Sequence, residues 1–333
     1  MISQIWLTYK QHRFETIAVT VLCLGVAIAA LIEAFRVNSV GLPPGCSIER
    51  TITYNGGGTS FSAACQGGFD RILPLVSSAE VSIIHVLMVL LPFVVGIAVG
   101  APLVAKELEE GTAPLSWALS GSRGRWLLGK VLASVLLIVP LLLAAGLAAD
   151  VLQGALSPGT DAHASLENYA VRGVMVVAWG LVALFVAVAL SALVGRTLPA
   201  VLAAVVVCAL ARGLLPAALN ATVYSAFAVQ GNNPTFSSNS YSVNDMYVYN
   251  RVYLDGKPWA GDISAWWIEH LPPPGADSTA FDFDPSRGPQ WIPFVIHGDR
   301  YWPVVAFESG ILLVGSLLWG AVALFRVDWR RPY

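Results

Sequence analysis

The residues best suited to chemistry in this chain lie between positions 106 and 130. There Lys106-Glu107-Leu108-Glu109-Glu110 is followed by Gly111-Thr112 and then by Arg123, Arg125 and Lys130. Gly124, Gly129 and Lys130 reproduce part of a phosphate-binding loop, in which backbone amides and a lysine hold a nucleotide. Val131 stands where that loop needs Ser or Thr to reach magnesium, and Trp126 with two leucines reads as helix. The match is accidental, and the chain is expected to hold neither ATP nor magnesium itself. His12, His85, His163, His270 and His297 show no metal-ligand spacing, and no Cys-x-x-Cys occurs. Asp282 and Asp284 read as a solvated hairpin edge more readily than as an acid pair. The residues therefore predict no catalytic, cofactor, metal or nucleic-acid site, and the chain does not read as an enzyme.

The elements that must position the charged segment are membrane spans. The chain is 56% hydrophobic and 12% charged, far from the balance of a soluble domain. A hydrocarbon core needs roughly 20 apolar residues as helix. Six stretches free of Asp, Glu, Lys and Arg, extended by flanking residues to spanning length, predict six spans, at 16–35, 81–105, 126–149, 172–195, 197–215 and 304–326. Between them lie an outer loop at 36–80, an inner loop at 106–125, an outer loop at 150–171 and a large outer segment at 216–303, with an inner tail at 327–333. The positive-inside rule sets this orientation: the inner segments hold ten of the 19 basic residues but only five of the 21 acidic ones. Both termini are thus expected in the cytoplasm.

Residues 1–15 carry Ile2, Ile5, Trp6 and Tyr9 on one helical face, ahead of Lys10 and Arg13. They read either as a helix lying in the inner interface or as an irregular polar tail. Ala27-Ile28-Ala29 resembles a signal-peptidase site, but Met1 is present and the segment is read as retained. Ser77-Ser78-Ala79-Glu80 has capping-box form ahead of the second span, and Thr197 with Pro199 is expected to open the fifth. In the second span Gly96 and Gly100 make a G-x-x-x-G pattern that permits close helix approach. Pro92 and Pro140 are candidate kinks.

Cys23 and Cys208 lie inside apolar spans and read as packing residues. Cys46 and Cys65 flank a Gly-rich stretch in the first outer loop, where a disulfide can persist. A Cys46–Cys65 bridge is expected, tying that loop into a small lid. In 216–303, the apolar residues 214–229 suggest a partial dip back into the membrane. Residues 246–254 then read as a strand, with a turn at Asp255-Gly256 and a partner cut short near Pro258. The abundant Trp, Tyr and Phe of this segment serve either a small core or a recognition surface. Glu33, His85, Arg212 and Glu308 fall toward the outer halves of their helices. They either snorkel to the interface or, with Glu308 paired to Arg212, help to close an outer gate.

Glu107, Glu109, Gly111-Thr112, Trp117, Ser122, Arg123, Arg125-Trp126 and Lys130 together resemble the first cytoplasmic loop of type-2 ATP-binding-cassette (ABC) membrane permeases. Arg300-Tyr301-Trp302-Pro303, followed by Glu308, Gly310 and Ile311, resembles the approach to that family's last helix. The resemblance implies an all-α polytopic membrane protein: six transmembrane helices, an N-terminal elbow helix and a cytoplasmic coupling helix between spans 2 and 3, to which the residues themselves add some β-hairpin between spans 5 and 6. It further implies a bacterial cell membrane and cytoplasmic ABC ATPase partners that carry ATP and magnesium. A second permease copy or paralogue, membrane lipid and a small hydrophobic or amphiphilic cargo complete the implied partners. Coupling would fall to Lys106, Glu107, Leu108, Glu109, Glu110, Leu115, Trp117, Arg123 and Arg125. The bland reading of those charges is that they hold the loop at the membrane surface. A non-transporting sensor subunit and a membrane-embedded enzyme are the alternative functions.

Overall fold

The computed structural model describes residues 13–41, 48–53, 56–61, 69–113, 115, 117, 122–230, 240–242, 244–254, 257–262, 265–266, 269 and 288–329. The expected elbow helix at 1–15 and the Cys46–Cys65 bridge fall largely or wholly outside them. Six helices are long and apolar enough to cross a membrane. They are α1 (Arg13–Asn38), α2 (Ala79–Glu109), α3 (Arg123–Leu156), α4 (Val174–Val194), α5 (Thr197–Leu219) and α6 (Tyr301–Trp329). A shorter helix, Phe69–Val76, precedes α2.

Local sequence sets several helix ends. Ser78 caps α2 by accepting the Val81 amide at 3.3 Å, and Ser122 caps α3 through the Arg125 amide at 3.3 Å. Each hydroxyl satisfies an amide that a helix start otherwise leaves unpaired. Gly195 ends α4 with φ 74°, a left-handed conformation that glycine adopts without penalty. Thr197 opens α5 as expected, as its first helical residue. Arg196 occupies the capping position, which releases the threonine hydroxyl for another partner.

α4 is the central helix, with 78% of its apolar window buried. It packs on α2, α6, α3 and α5, while α1 packs on α3 and α2. The α2–α4 contact is as close as the G-x-x-x-G pattern predicts. A Cβ on Gly96 would lie 2.6 Å from the Ala183 Cβ, and one on Gly100 would lie 2.7 Å from the Leu184 carbonyl oxygen. Two apolar clusters result, one joining α1 to α4 through α2 and α3, the other joining α2, α4, α5 and α6. α5 and α6 remain the least covered, with 17% and 22% of their windows buried.

Two small sheets stand at the end of the bundle opposite the Lys106 segment. β1 (Ile48–Thr53) pairs antiparallel with β2 (Gly56–Phe61), and β4 (Ser240–Ser242) joins β1 on its other side. The described residues of the first outer loop thus form an antiparallel pair joined to the later outer segment. The second sheet has the order β3-β7-β5-β6, with β3 Val229–Gln230, β5 Met246–Leu254, β6 Lys257–Pro258 and β7 Gln290–Ile296. The hairpin expected over 246–258 is present, Leu254 pairing with Lys257. Its larger partner, β7, was not foreseen. Residues 216–227, within the stretch expected to dip partly into the membrane, continue the fifth helix: α5 passes into a π-helical turn, Asn220–Tyr224, and a last turn, Ser225–Phe227.

Candidate functional site

The charged segment between α2 and α3 is built onto the helix ends. α2 runs without a break through Lys106 to Glu109, so the charges extend the second span instead of starting a separate helix. Gly111, at φ 68°, then reverses the chain. One turn above that end, Glu107 forms an ion pair with Lys130 of α3, whose ammonium also reaches the Leu103 carbonyl at 3.4 Å. The two side chains are only 12% and 7% exposed. A cation this buried needs a partner, and the Trp126 ring, 4.8 Å from the Lys130 nitrogen, adds a cation–π contact.

Trp117 packs edge-on to Trp126 with 6.1 Å between ring centres, and Arg123 lies 4.6 Å over the Trp117 ring. Arg123 also donates to the Asp328 carbonyl at 3.2 Å, linking α3 to the end of α6. Glu109 accepts the Thr197 hydroxyl at 2.6 Å. Its carboxylate thus sits at the first turn of α5, where unpaired amides favour negative charge. This small region ties together the ends of α2, α3, α5 and α6.

Of the predicted coupling residues, Glu107, Trp117 and Arg123 are engaged within the chain and do not stand out as an array. Lys106, Glu110, Leu115 and Arg125 are exposed on the surface of the same region. Glu109 is exposed but tethered, and Leu108 is half-buried against the first apolar cluster.

At the sheet end, Glu308 is 5% exposed and accepts two phenol hydroxyls, from Tyr169 at 2.6 Å and Tyr224 at 2.5 Å. The π-helical turn at the end of α5 places Tyr224, and a 3-10 turn at Tyr169–Val171 places Tyr169. Burial foremost, and then the Glu308 carboxylate, raise the Tyr169 phenol above its usual range, which keeps it a neutral donor. Arg212 makes no ion pair with Glu308 among the described residues, so of its two readings the paired one is not what the geometry displays. Its guanidinium lies 5.5 Å over the Trp179 ring.

The four proposed gate residues are not brought together. Glu33 pairs with Arg36 on α1 at 2.7 Å, and His85 lines a separate cleft between α2, α3 and the 167–172 turn.

Sequence reasoning overlooked Arg172. At 1% exposure it binds Asp150 at 3.3 Å, the Ala162 carbonyl at 2.7 Å and the Ser165 carbonyl, with its guanidinium 4.8 Å over the Tyr301 ring. A lone arginine beside an apolar run was the available signal. Tyr169 and Tyr224 carried none, because tyrosine at a span end is the ordinary interfacial residue. Among the described residues, no group of three His, Cys, Asp or Glu side chains could hold a metal ion.

A family model described as ABC-2 membrane transporter related matches residues 16–220. No curated protein and no solved structure matches the chain.

Proposed function

Because this chain belongs to the ABC-2 membrane transporter related family, we propose that it is the permease subunit of an ATP-driven exporter. In this reading the Lys106 end faces the cytoplasm of a bacterial cell, the sheets face outward, and both termini are inside. ATP and magnesium act on a separate ATPase, and this chain carries no catalytic step. Two permease chains, identical or paralogous, form the pathway for a hydrophobic or amphiphilic cargo.

One observation carries the proposal. The 106–125 region is joined at its root to four helices by Glu107–Lys130, Glu109–Thr197 and Arg123–Asp328. A force applied there by an ATPase reaches α2, α3, α5 and α6 together. A loop that merely held the membrane surface would need no such ties. Lys106, Glu110, Leu115 and Arg125 supply the docking surface, an apolar anchor among charges of both signs. Glu107 and Trp117, grouped with them in the sequence, transmit the force instead.

The test is co-purification with the ATPase, combined with cargo-stimulated ATP hydrolysis. Leu115→Ala with Arg125→Glu should leave membrane insertion intact and lose association. Glu107→Ala should retain association and lose stimulation. Wild-type association and stimulation in both variants would refute the coupling role of this region.

A further inference from the structure

Where α5 and α6 meet the second sheet, the structure encloses a cleft of about 520 Å³. Its walls are Val223, Phe227, Val229, Ile296, Val304 and Phe307. Ligand sites of a few hundred Å³ are typically apolar with a small number of placed polar groups, and this cleft has that composition. Asp299 and Arg300 stand exposed on its rim, and neither side chain has a partner among the described residues. His297, also on the rim, is already held by Asp245 at 3.2 Å. Tyr224 is the buried polar group of the wall, and its hydroxyl donates to Glu308 at 2.5 Å.

The position of the cleft narrows what can fill it. It lies at the ends of two membrane-spanning helices, with Phe227 of its wall and Trp302, next to Pro303 of its lining, both exposed, as aromatic residues are at a bilayer boundary. A purely apolar molecule would leave Asp299 and Arg300 without a role. An anionic headgroup would be drawn by Arg300 but repelled by Asp299 beside it. An adjacent acid and base complement a headgroup that carries both charges, with the guanidinium suited to a phosphate and the carboxylate to an ammonium.

We propose that the cleft binds one zwitterionic phospholipid from the adjoining leaflet. Its acyl chain lies between Phe227 and Phe307, its phosphate meets Arg300 and its ammonium meets Asp299. Because Tyr224 borders both the cleft and Glu308, a bound chain packs Tyr224 against its carboxylate partner. Lipid occupancy thereby strengthens the link between the ends of α5 and α6. This assignment rests on the chain's place in the membrane and not on export, so it stands or falls separately from the coupling reading.

The experiment uses the full chain in nanodiscs containing phosphatidylethanolamine with a photoactivatable acyl chain. A parallel sample carries phosphatidylglycerol with the same chain, and adducts are mapped by mass spectrometry. Phosphatidylethanolamine should label Val223, Phe227 and Phe307 well above the lipid-facing Leu317 and Leu318. Filling the cleft by Val304→Trp should abolish that excess. Asp299→Asn with Arg300→Gln, a surface change that spares the core, should lower it about tenfold, the loss expected for a charge-assisted bond. Labelling of the cleft no stronger than that of Leu317 and Leu318, or equal labelling by phosphatidylglycerol, would overturn the proposal. An excess that persists unchanged in the Asp299–Arg300 double variant would do the same.

Discussion

Replacing Lys130 with methionine strands a buried carboxylate, and the structure sets the size of the effect. The ammonium is held by Glu107, by the Leu103 carbonyl at 3.4 Å and by the Trp126 ring at 4.8 Å. With both partners no more than 12% exposed, water replaces little of what is lost. Glu107 Oε2 is already buried without a hydrogen-bond partner among the described residues. Breaking a buried pair from one side costs about 3–5 kcal/mol. Glu107→Leu strands the ammonium instead and should cost a similar amount.

The double variant, Lys130→Met with Glu107→Leu, removes both charges and leaves apolar side chains of comparable volume. Such replacements are often neutral or stabilising, so the double variant should be more stable than either single one. The assay is equilibrium unfolding of the purified protein in detergent, followed by tryptophan fluorescence, for all four members of the cycle. If the double variant loses the sum of the two single losses, the coupling energy is zero. The pair would then contribute nothing to the folded state, and the reasoning that ties α2 to α3 through it fails.

Four further outcomes are expected. Gly96→Ala places a methyl 2.6 Å from the Ala183 Cβ and should cost about 1–3 kcal/mol by overpacking. Gly25→Ala meets nothing within 4 Å and should gain about 0.5–1 kcal/mol, so matching shifts in thermal unfolding would contradict the α2–α4 packing. Glu308→Gln makes both tyrosine bonds neutral and weakens each by about 1 kcal/mol. Basal ATP turnover of the assembled transporter should rise, and an unchanged rate would deny Glu308 a part in holding α5 to α6. Arg172→Met leaves Asp150 and two carbonyls without their donor and should destabilise the fold by about 3–5 kcal/mol. Wild-type unfolding of that variant would mean that the 162–172 turn is held by other contacts.

What could be read without the fold was whatever depends on a short local stretch. Six runs of apolar residues define six helices because each span saturates its own backbone hydrogen bonds and the gain from apolar side chains adds along the run. The box Ser77–Glu80 marked where α2 begins, because a cap and its partner amide lie three residues apart, although Ser78 and not Ser77 makes the cap. The Gly96–Gly100 pattern announced a close contact, although not that α4 supplies the other side. The tertiary structure alone decided that Glu107 meets Lys130, that Glu109 meets Thr197, and that Tyr169, Tyr224 and Glu308 converge. It also decided that β1 pairs with β4, nearly two hundred residues further on in the chain. These contacts depend on how each helix is rotated about its axis. In a helix apolar on every side no polar stripe marks the outward face, and lipid does not penalise an apolar face left uncovered. Rotation is set instead by small-residue contacts between helices and by a few buried charges, whose partners only become neighbours once the bundle has packed.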